Sequence, residues 1–177
     1  MALETRTDGT KVPLETCSDG IKVPLETCTD GTKVAERGRK MERRVYTFFY
    51  GLFMDQDALR GKGYNPVDIR PAHVAGMTLR LGDRATLVPD PSGRVYGMLM
   101  ALSHAELDRL YAEPSVAAYR PEPVLARLPD GAGVPALCFN LPVAPDDPHQ
   151  SNPDYAAKLQ AMARRLGLPE DYIAGIR

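Results

Sequence analysis

Six short apolar runs lie between residues 45 and 141, separated by segments that contain glycine, proline or aspartate. Short runs rich in β-branched and aromatic residues, with turn residues between them, are typical of β-strands. The predicted strands are residues 45–50, 73–81, 85–88, 95–102, 123–128 and 134–141. Helical patterns dominate the end of the chain. The sequence therefore predicts an α+β domain, a mixed sheet or barrel with flanking helices.

Three helices are predicted from capping residues and from the spacing of apolar residues. Asp55 offers an N-cap to a short helix that Gly61 ends. Ser103 and Glu106 form a capping box, in which each side chain accepts a hydrogen bond from the other residue's backbone N–H. Residues 155–166 carry apolar side chains at helical spacing, and the glycine that follows them suits a C-cap. A last short helix is predicted after the next proline.

Two proline-rich segments are predicted to interrupt the regular structure. The cluster Pro-Asp-Pro-Ser-Gly at residues 89–93 predicts a turn between two strands. Residues 144–153 are rich in proline and aspartate and are predicted to form a loop.

The first forty residues differ in kind from the rest. Residues 2–12, 13–23 and 24–34 are three copies of one 11-residue unit, each with Asp-Gly between short alternating segments. Asp-Gly in that setting is a hairpin signal, but a two-stranded hairpin without a packed face is marginal in water. A flexible tail is therefore favoured over an edge ribbon or a small stacked array. We predict a tail of residues 1–40 and a compact domain of residues 41–177 that carries the chemistry.

Charge and composition exclude several classes of partner. With 22 basic and 23 acidic residues, the chain has a formal net charge of −1, which gives no reason to expect a nucleic acid or an anionic membrane. No apolar stretch approaches the about 18 residues that a membrane span needs. The polar, repetitive N-terminus is not expected to be a secretory signal. An odd cysteine count without such a signal predicts free thiols and a cytoplasmic location.

Other chemistries find little support in the sequence. The three histidines, His73, His104 and His149, have no metal-ligand spacing with one another, with cysteine or with carboxylates. No phosphate-binding loop and no dinucleotide fingerprint is present. Cys138 lies in an apolar run without a basic neighbour, which favours a buried core thiol over a nucleophile. We expect neither a metal nor a cofactor.

Three segments, in their order and spacing, carry a resemblance. The first is the strand end Tyr50-Gly51-Leu52-Phe53 and the second is L-D-R-L-Y-A-E-P-S-V-A-A-Y, which contains Glu113 and Tyr119. The third is Y-x-x-x-L…G-L-P-x-x-Y, which begins at Tyr155. Over residues 45–177 the chain resembles the γ-glutamylcyclotransferase family.

The resemblance implies a small, mixed and twisted β-barrel with flanking helices and a pocket at one mouth. It implies an acyltransferase reaction, without a metal or a cofactor, in which a small γ-glutamyl compound yields 5-oxoproline and an amine or amino acid. Glu113 is the implied general acid/base. The implied substrate-binding residues are Tyr50, Gly51, Leu52, Phe53 and Tyr119.

These residue types suit that reaction. The substrate's α-amine must attack its own γ-carbonyl, and at neutral pH a carboxylate has to remove a proton from the ammonium first. Partial burial of Glu113 is expected to raise its pKa toward the working pH. The backbone N–H groups after Gly51 are expected to hold the substrate's carboxylate or the developing oxyanion, since glycine permits a close approach.

The sequence also departs from the family pattern. Many members have a hydroxyl-bearing residue after the Tyr-Gly pair, where this chain has Leu52 and then Phe53. Pro114 follows the glutamate in place of a glycine, and Leu110-Tyr111 stands where Leu-Asp is usual.

These departures motivate an alternative, a non-catalytic module of the same fold that binds small carboxylates. A third hypothesis is an interaction protein whose working part is the repeated tail. The sequence leaves open the γ-glutamyl substrate and the oligomeric state.

Overall fold

The computed structural model describes residues 3–5, 11–16, 22–24, 42–142 and 152–177, and the chain divides into two compact units, residues 1–41 and 42–177. In the first unit, three short strands form an antiparallel sheet in the order β1 (Leu3–Thr5), β2 (Lys11–Thr16) and β3 (Lys22–Pro24).

The pairing of these strands follows the sequence repeat. Leu3 pairs with Pro13, and Leu14 pairs with Pro24, so the second pairing is the first one moved by one unit. The Asp-Gly pairs predicted as hairpin turns lie outside the described residues. The flexibility of residues 1–40 stays a prediction.

A closed barrel forms the centre of the second unit. Its elements are β4 (Arg44–Phe49), a 3-10 turn (Leu52–Met54), α1 (Gln56–Gly61), β5 (Val67–Leu81), β6 (Ala85–Ser103), α2 (His104–Tyr111), β7 (Arg120–Arg127), β8 (Gly133–Asn140), α3 (Pro153–Arg165) and α4 (Glu170–Ala174). The strand order is β4-β6-β5-β7-β8, with antiparallel neighbours except for β8 and β4, which are parallel. The predicted mixed barrel with flanking helices is confirmed.

The core fills the barrel and the contacts with its helices. Phe48 of β4 and Leu99 of β6 are buried inside it, and the helices contribute Leu110, Leu159 and Ile173. Each such side chain stabilises the fold by about 1.5–3 kcal/mol relative to exposure. The helices therefore depend on packing against the barrel. Within the described ranges, no helix combines the length and the apolar character that a membrane crossing requires.

The predicted caps are confirmed. The Asp55 carboxylate accepts hydrogen bonds from two backbone N–H groups of α1, and Ser103 and Glu106 make both hydrogen bonds of a capping box. Gly167, at a φ of 70°, ends the helical segment before it, as a left-handed C-cap requires. The loop predicted over residues 144–153 lies mostly outside the described residues, and its last residue begins α3.

The turn predicted at residues 89–93 is wrong as a boundary between strands, because the two flanking strands join into β6. Ala75 pairs with Arg94, whereas Met77 pairs with Pro89. Four residues of β6 thus lie opposite the single residue between Ala75 and Met77. Residues 90–93 form a bulge-like irregularity within the long strand β6 and do not end it, because β5 pairs with β6 on both sides of them.

Gly97 of β6 is predicted to be essential for the packing of β4 against β6. A Cβ at this position would lie 2.2 Å from the Phe49 carbonyl oxygen, a backbone atom that cannot move aside. Gly97→Ala is expected to lower the free energy of unfolding by about 1–3 kcal/mol or more, measured by urea denaturation. In the matched control Gly61→Ala, the added Cβ meets nothing within 4 Å, so the free energy of unfolding should stay the same or rise slightly. Equal effects of the two substitutions would contradict this account.

Candidate active site

A cavity of about 330 Å³ lies where the chain leaves β4. Its wall contains all five residues that the sequence predicts for substrate binding, Tyr50, Gly51, Leu52, Phe53 and Tyr119. Most of the surface is formed by aromatic and aliphatic side chains, as is common for small-molecule sites. The structure therefore brings two distant sequence segments together around one space.

Tyr50 lines the cavity, and its hydroxyl forms hydrogen bonds with residues at the end of β8. The hydroxyl oxygen lies 2.7 Å from the Phe139 carbonyl oxygen and 2.8 Å from Asn140 Oδ1. Asn140 is itself held, because its Nδ2 donates to Glu122 Oε2 at 2.7 Å. Burial raises the pKa of the Tyr50 hydroxyl well above its ordinary value, so it remains protonated at neutral pH. Tyr50 is both a core residue and a wall of the site.

Gly51 lies close to helix α3, at Tyr155. Its backbone is extended, with φ at −110°, and a Cβ there would lie 2.9 Å from the Tyr155 hydroxyl oxygen. Burial raises the pKa of Tyr155, and a hydrogen bond from the Leu52 backbone opposes that rise. The Tyr155 hydroxyl is therefore close to the peptide group of Leu52, which the sequence assigns to the substrate.

Two further tyrosines complete the aromatic wall. The Tyr119 hydroxyl donates to the Ala85 carbonyl oxygen at 2.5 Å. Tyr111 stacks on Phe139, with ring centroids 3.5 Å apart and planes within 8° of parallel. Burial raises the pKa of both phenols, so neither carries a negative charge at neutral pH.

Glu113 lies beside the cavity and is not one of the residues that line it. Its Oε2 is 2.7 Å from Lys62 Nζ, and its Oε1 accepts a hydrogen bond of 3.2 Å from the Tyr64 hydroxyl. Lys62 does line the cavity, and its ammonium lies 5.5 Å from the centroid of the Phe53 ring. The candidate general base is therefore connected to the cavity through its ion pair with Lys62, and its side chain is 29% exposed.

The expectation of a raised pKa for Glu113 is wrong in direction. The hydrogen bond from Lys62 holds the pKa below its ordinary value, and this outweighs the partial burial that would raise it. The Tyr64 hydroxyl and the charge of Lys62 act in the same sense. In this arrangement Glu113 is ionised at neutral pH and is a weak base while Lys62 remains its partner.

Charge in the cavity wall comes from basic side chains. Among the described residues that line the cavity, Lys62 and Arg84 are charged and none is a carboxylate. Lys62, Arg84, Tyr111 and Tyr155 were not predicted as site residues. Lys62 and Arg84 belong to glycine-containing turns in which no local signal marks them, whereas Tyr111 and Tyr155 lie within two of the segments that carry the family resemblance.

The structure gives no second candidate site for metal or thiol chemistry in the parts it describes. No group of three His, Cys, Asp or Glu residues in those parts is placed to hold a metal ion. Burial raises the pKa of the Cys138 thiol to about 12, which suits a core residue. Cys17, Cys28 and His149 lie outside the described residues.

Comparison with known proteins agrees with this geometry. The family model described as "Gamma-glutamyl cyclotransferase, AIG2-like" matches residues 47–157, well over half of the chain. The chain therefore belongs to the AIG2-like gamma-glutamyl cyclotransferase family. A search of curated proteins finds no match.

Solved structures with the same fold are distant in sequence. One, titled "Gamma-glutamyl cyclotransferase", has a TM-score of 0.62 at 17% identity, covering 76% of this chain and 86% of its own. A gamma glutamyl cyclotransferase from yeast, described as specific to glutathione, has a TM-score of 0.53 at 13% identity, covering 75% and 93%. YkqA from Bacillus subtilis has a TM-score of 0.57 at 24% identity, covering 76% of this chain and 53% of YkqA. At these identities the likeness establishes the shared fold.

The ionisation of Glu113 is expected to depend on Lys62. In Lys62→Met the strongest cause of the lowered pKa is removed, so the pKa of Glu113 should rise. The measurement is a carbon-13 carboxyl titration, assigned with Glu113→Gln. An unchanged pKa of Glu113 in Lys62→Met would contradict this role of the ion pair. The matched control is Arg164→Met, which removes the ion-pair partner of Glu170 and should leave the pKa of Glu113 unchanged.

The sign of the stability effect follows from this shift. A carboxylate whose pKa is lowered by folding stabilises the folded state above its unfolded pKa of about 4.3, and the contribution disappears as the pH falls through the folded-state pKa. The stability difference between the wild type and Lys62→Met should therefore be present at neutral pH and should shrink in acid.

Gly51 is expected to be required because of the Tyr155 hydroxyl. Gly51→Ala places a Cβ 2.9 Å from that oxygen and should destabilise the fold by about 1–3 kcal/mol. Adding Tyr155→Phe removes the clashing atom, so the double variant should be more stable than the sum of the two single effects predicts. A double-mutant cycle from urea denaturation measures this coupling, and strict additivity would contradict the contact.

Proposed function

We propose that the chain is a cyclotransferase-type enzyme that converts a small γ-glutamyl compound into 5-oxoproline and a free amine or amino acid. The proposal is supported by membership of the family and above all by one observation. The Tyr50–Phe53 turn and Tyr119 share one cavity, and the lysine in its wall forms an ion pair with Glu113.

In this proposal Glu113 is the general acid/base. The substrate's α-ammonium replaces Lys62 as the cation at the Glu113 carboxylate, which exchanges one positive charge for another. Glu113 then takes a proton, and the freed amine attacks the γ-carbonyl carbon to form the five-membered ring. The bond from that carbon to the leaving nitrogen breaks as Glu113 gives its proton to that nitrogen. A second proton passes through the same carboxylate from the ring nitrogen to the departing amine, which leaves as an ammonium. Atoms and charge balance without a cofactor.

The cavity supplies position and hydrogen bonds. The proposal assigns the glutamyl end of the substrate to the backbone of Gly51, Leu52 and Phe53 at the start of a helical turn. Peptide N–H groups there can bind an anion once the Leu52 peptide group exchanges the neighbouring Tyr155 hydroxyl for the substrate. Tyr50 and Tyr119 then limit the space in which the substrate folds. A substrate held close to its ring-closing shape gains rate because the reacting atoms are already near each other.

A second candidate is a non-catalytic module that binds small carboxylates. It is favoured by the absence of any carboxylate among the described residues that line the cavity, and by the lowered pKa of Glu113. A wall without a described carboxylate suits the binding of an anion, and a carboxylate of lowered pKa is a poor base for the removal of a proton.

Glu113→Gln decides between the two candidates. The assay measures 5-oxoproline formed from γ-glutamyl dipeptides, glutathione and γ-glutamyl amines at high protein concentration. If Glu113 transfers the proton, the substitution should lower kcat by about 10²–10⁴-fold, because the amide neither accepts nor returns it. The melting temperature should change little, since the Glu113 side chain is partly exposed.

The matched control is Glu170→Gln, which changes an exposed carboxylate outside the cavity and should retain full turnover. Retained turnover in Glu113→Gln would remove Glu113 from the mechanism. If the wild type forms no product from any substrate but is stabilised by small carboxylates in a thermal-shift assay, the binding module replaces the enzyme.

The repeated segment has no part in this proposal. Its flexibility, its possible role as an interaction segment and the cytoplasmic location of the protein stay predictions from the sequence.

A further inference from the structure

Arg84 is a basic side chain in the cavity wall that has no partner among the described residues. It lies between the Gly82-Asp83 turn and β6 and is partly buried. Its guanidinium makes neither a hydrogen bond nor an ion pair with residues 42–142 or 152–177. Lys62, the other cation of the wall, is paired with Glu113. A partly buried cation in an aromatic wall is stabilised by an anion, so Arg84 is, among the wall residues that the structure describes, the cation available to bind one.

The surroundings of Arg84 place it near the Gly51 turn. The next residue, Ala85, has its Cβ 3.9 Å from the position that a Gly51 Cβ would take. The carbonyl oxygen of Ala85 accepts the Tyr119 hydroxyl. Burial raises the pKa of Tyr119 and the charge of Arg84 opposes that rise, which is a second indication that the guanidinium faces this part of the cavity.

We propose that Arg84 binds the α-carboxylate of the γ-glutamyl group, beside the peptide groups of residues 51–53. The inference rests on the proposed function, which assigns the glutamyl end of the substrate to this turn. Leu52 and Phe53 offer no polar side-chain atom, so the carboxylate needs its side-chain donor from another element. A guanidinium suits this role because its N–H groups match both oxygens of a carboxylate.

This assignment specifies the substrate class. A ligand needs a free α-carboxylate on its glutamyl end, and an α-carboxamide in the same place lacks the charge that Arg84 binds. Arg84 does not bind a carboxylate on the departing amino acid. The leaving part can therefore vary, whereas the glutamyl end cannot.

The test compares two substrates that differ in one group, γ-glutamyl-alanine and the same dipeptide with an α-carboxamide on its glutamyl residue. In the wild type the carboxamide should have a KM higher by about tenfold or more, as expected for the loss of a charge-assisted hydrogen bond. In Arg84→Met the KM for γ-glutamyl-alanine should rise by a similar factor, with kcat within about twofold, and the preference between the two substrates should disappear.

The control variant is Arg80→Met, which removes an exposed arginine of β5 outside the cavity and should leave both KM values unchanged. Arg84→Gln provides a second variant if Arg84→Met melts early. A loss in Arg84→Met that is equal for both substrates would overturn the proposal. So would a loss that follows the carboxylate of the departing alanine, tested with γ-glutamyl-ethylamine.

A binding measurement separates this inference from the proposed function. Calorimetry with 5-oxoproline and with its carboxamide requires no turnover. If the wild type has no activity but binds 5-oxoproline at least tenfold more tightly than Arg84→Met does, the proposed function fails and the Arg84 site stands. If the wild type is active and both proteins bind 5-oxoproline equally, or if neither binds it, the Arg84 site is overturned.

Discussion

The closure of the barrel between β4 and β8 is the constraint on which the site depends. The two strands are parallel and share one paired position, Thr47 with Leu137, so little backbone pairing holds this seam. Tyr50, the first residue after β4, extends it through its hydroxyl to Phe139 and Asn140. This buried hydrogen bond fixes the direction in which the chain leaves the barrel at Gly51. The peptide groups of the following turn, and the cavity around them, are placed by the same contact.

The electrostatics of the site separate a basic wall from an acidic side chain beside it. The tyrosines of the wall are buried and protonated, and the charged residues of the wall that the structure describes are the cations Lys62 and Arg84. Glu113 is kept outside by its ion pair with Lys62, which also keeps its pKa low. A carboxylate placed alone in this apolar space would have a raised pKa because of desolvation. Proton transfer by Glu113 therefore requires a substrate cation to take the position of Lys62.

The same division of charge distinguishes the two candidate functions. A γ-glutamyl substrate carries an ammonium and a carboxylate on the same carbon atom. A site that binds it needs an anion for the ammonium and a cation for the carboxylate. In the proposed function, Glu113 and Arg84 supply that pair. A simple carboxylate ligand needs the cation alone. In the proposed function, binding specificity rests on Arg84 and chemistry on Glu113, so the two can be tested separately.

What the sequence determined about this protein is short in range. Strand runs, the Asp55 cap, the Ser103–Glu106 capping box and the Gly167 C-cap depend on residues a few positions apart, and the structure confirms them. The order of the Tyr-Gly turn and of Glu113 likewise indicated the family. Tertiary structure alone decided that Lys62 pairs with Glu113, 51 residues away, and that Tyr50 bonds Asn140, 90 residues away. It also decided that residues 89–93 stay within a strand, because β5 continues as their partner on both sides. The pKa of Glu113 and the charges of the cavity wall follow from such contacts. The energy of each contact depends on the distance between its atoms in space, and the spacing of residues along the chain does not specify that distance.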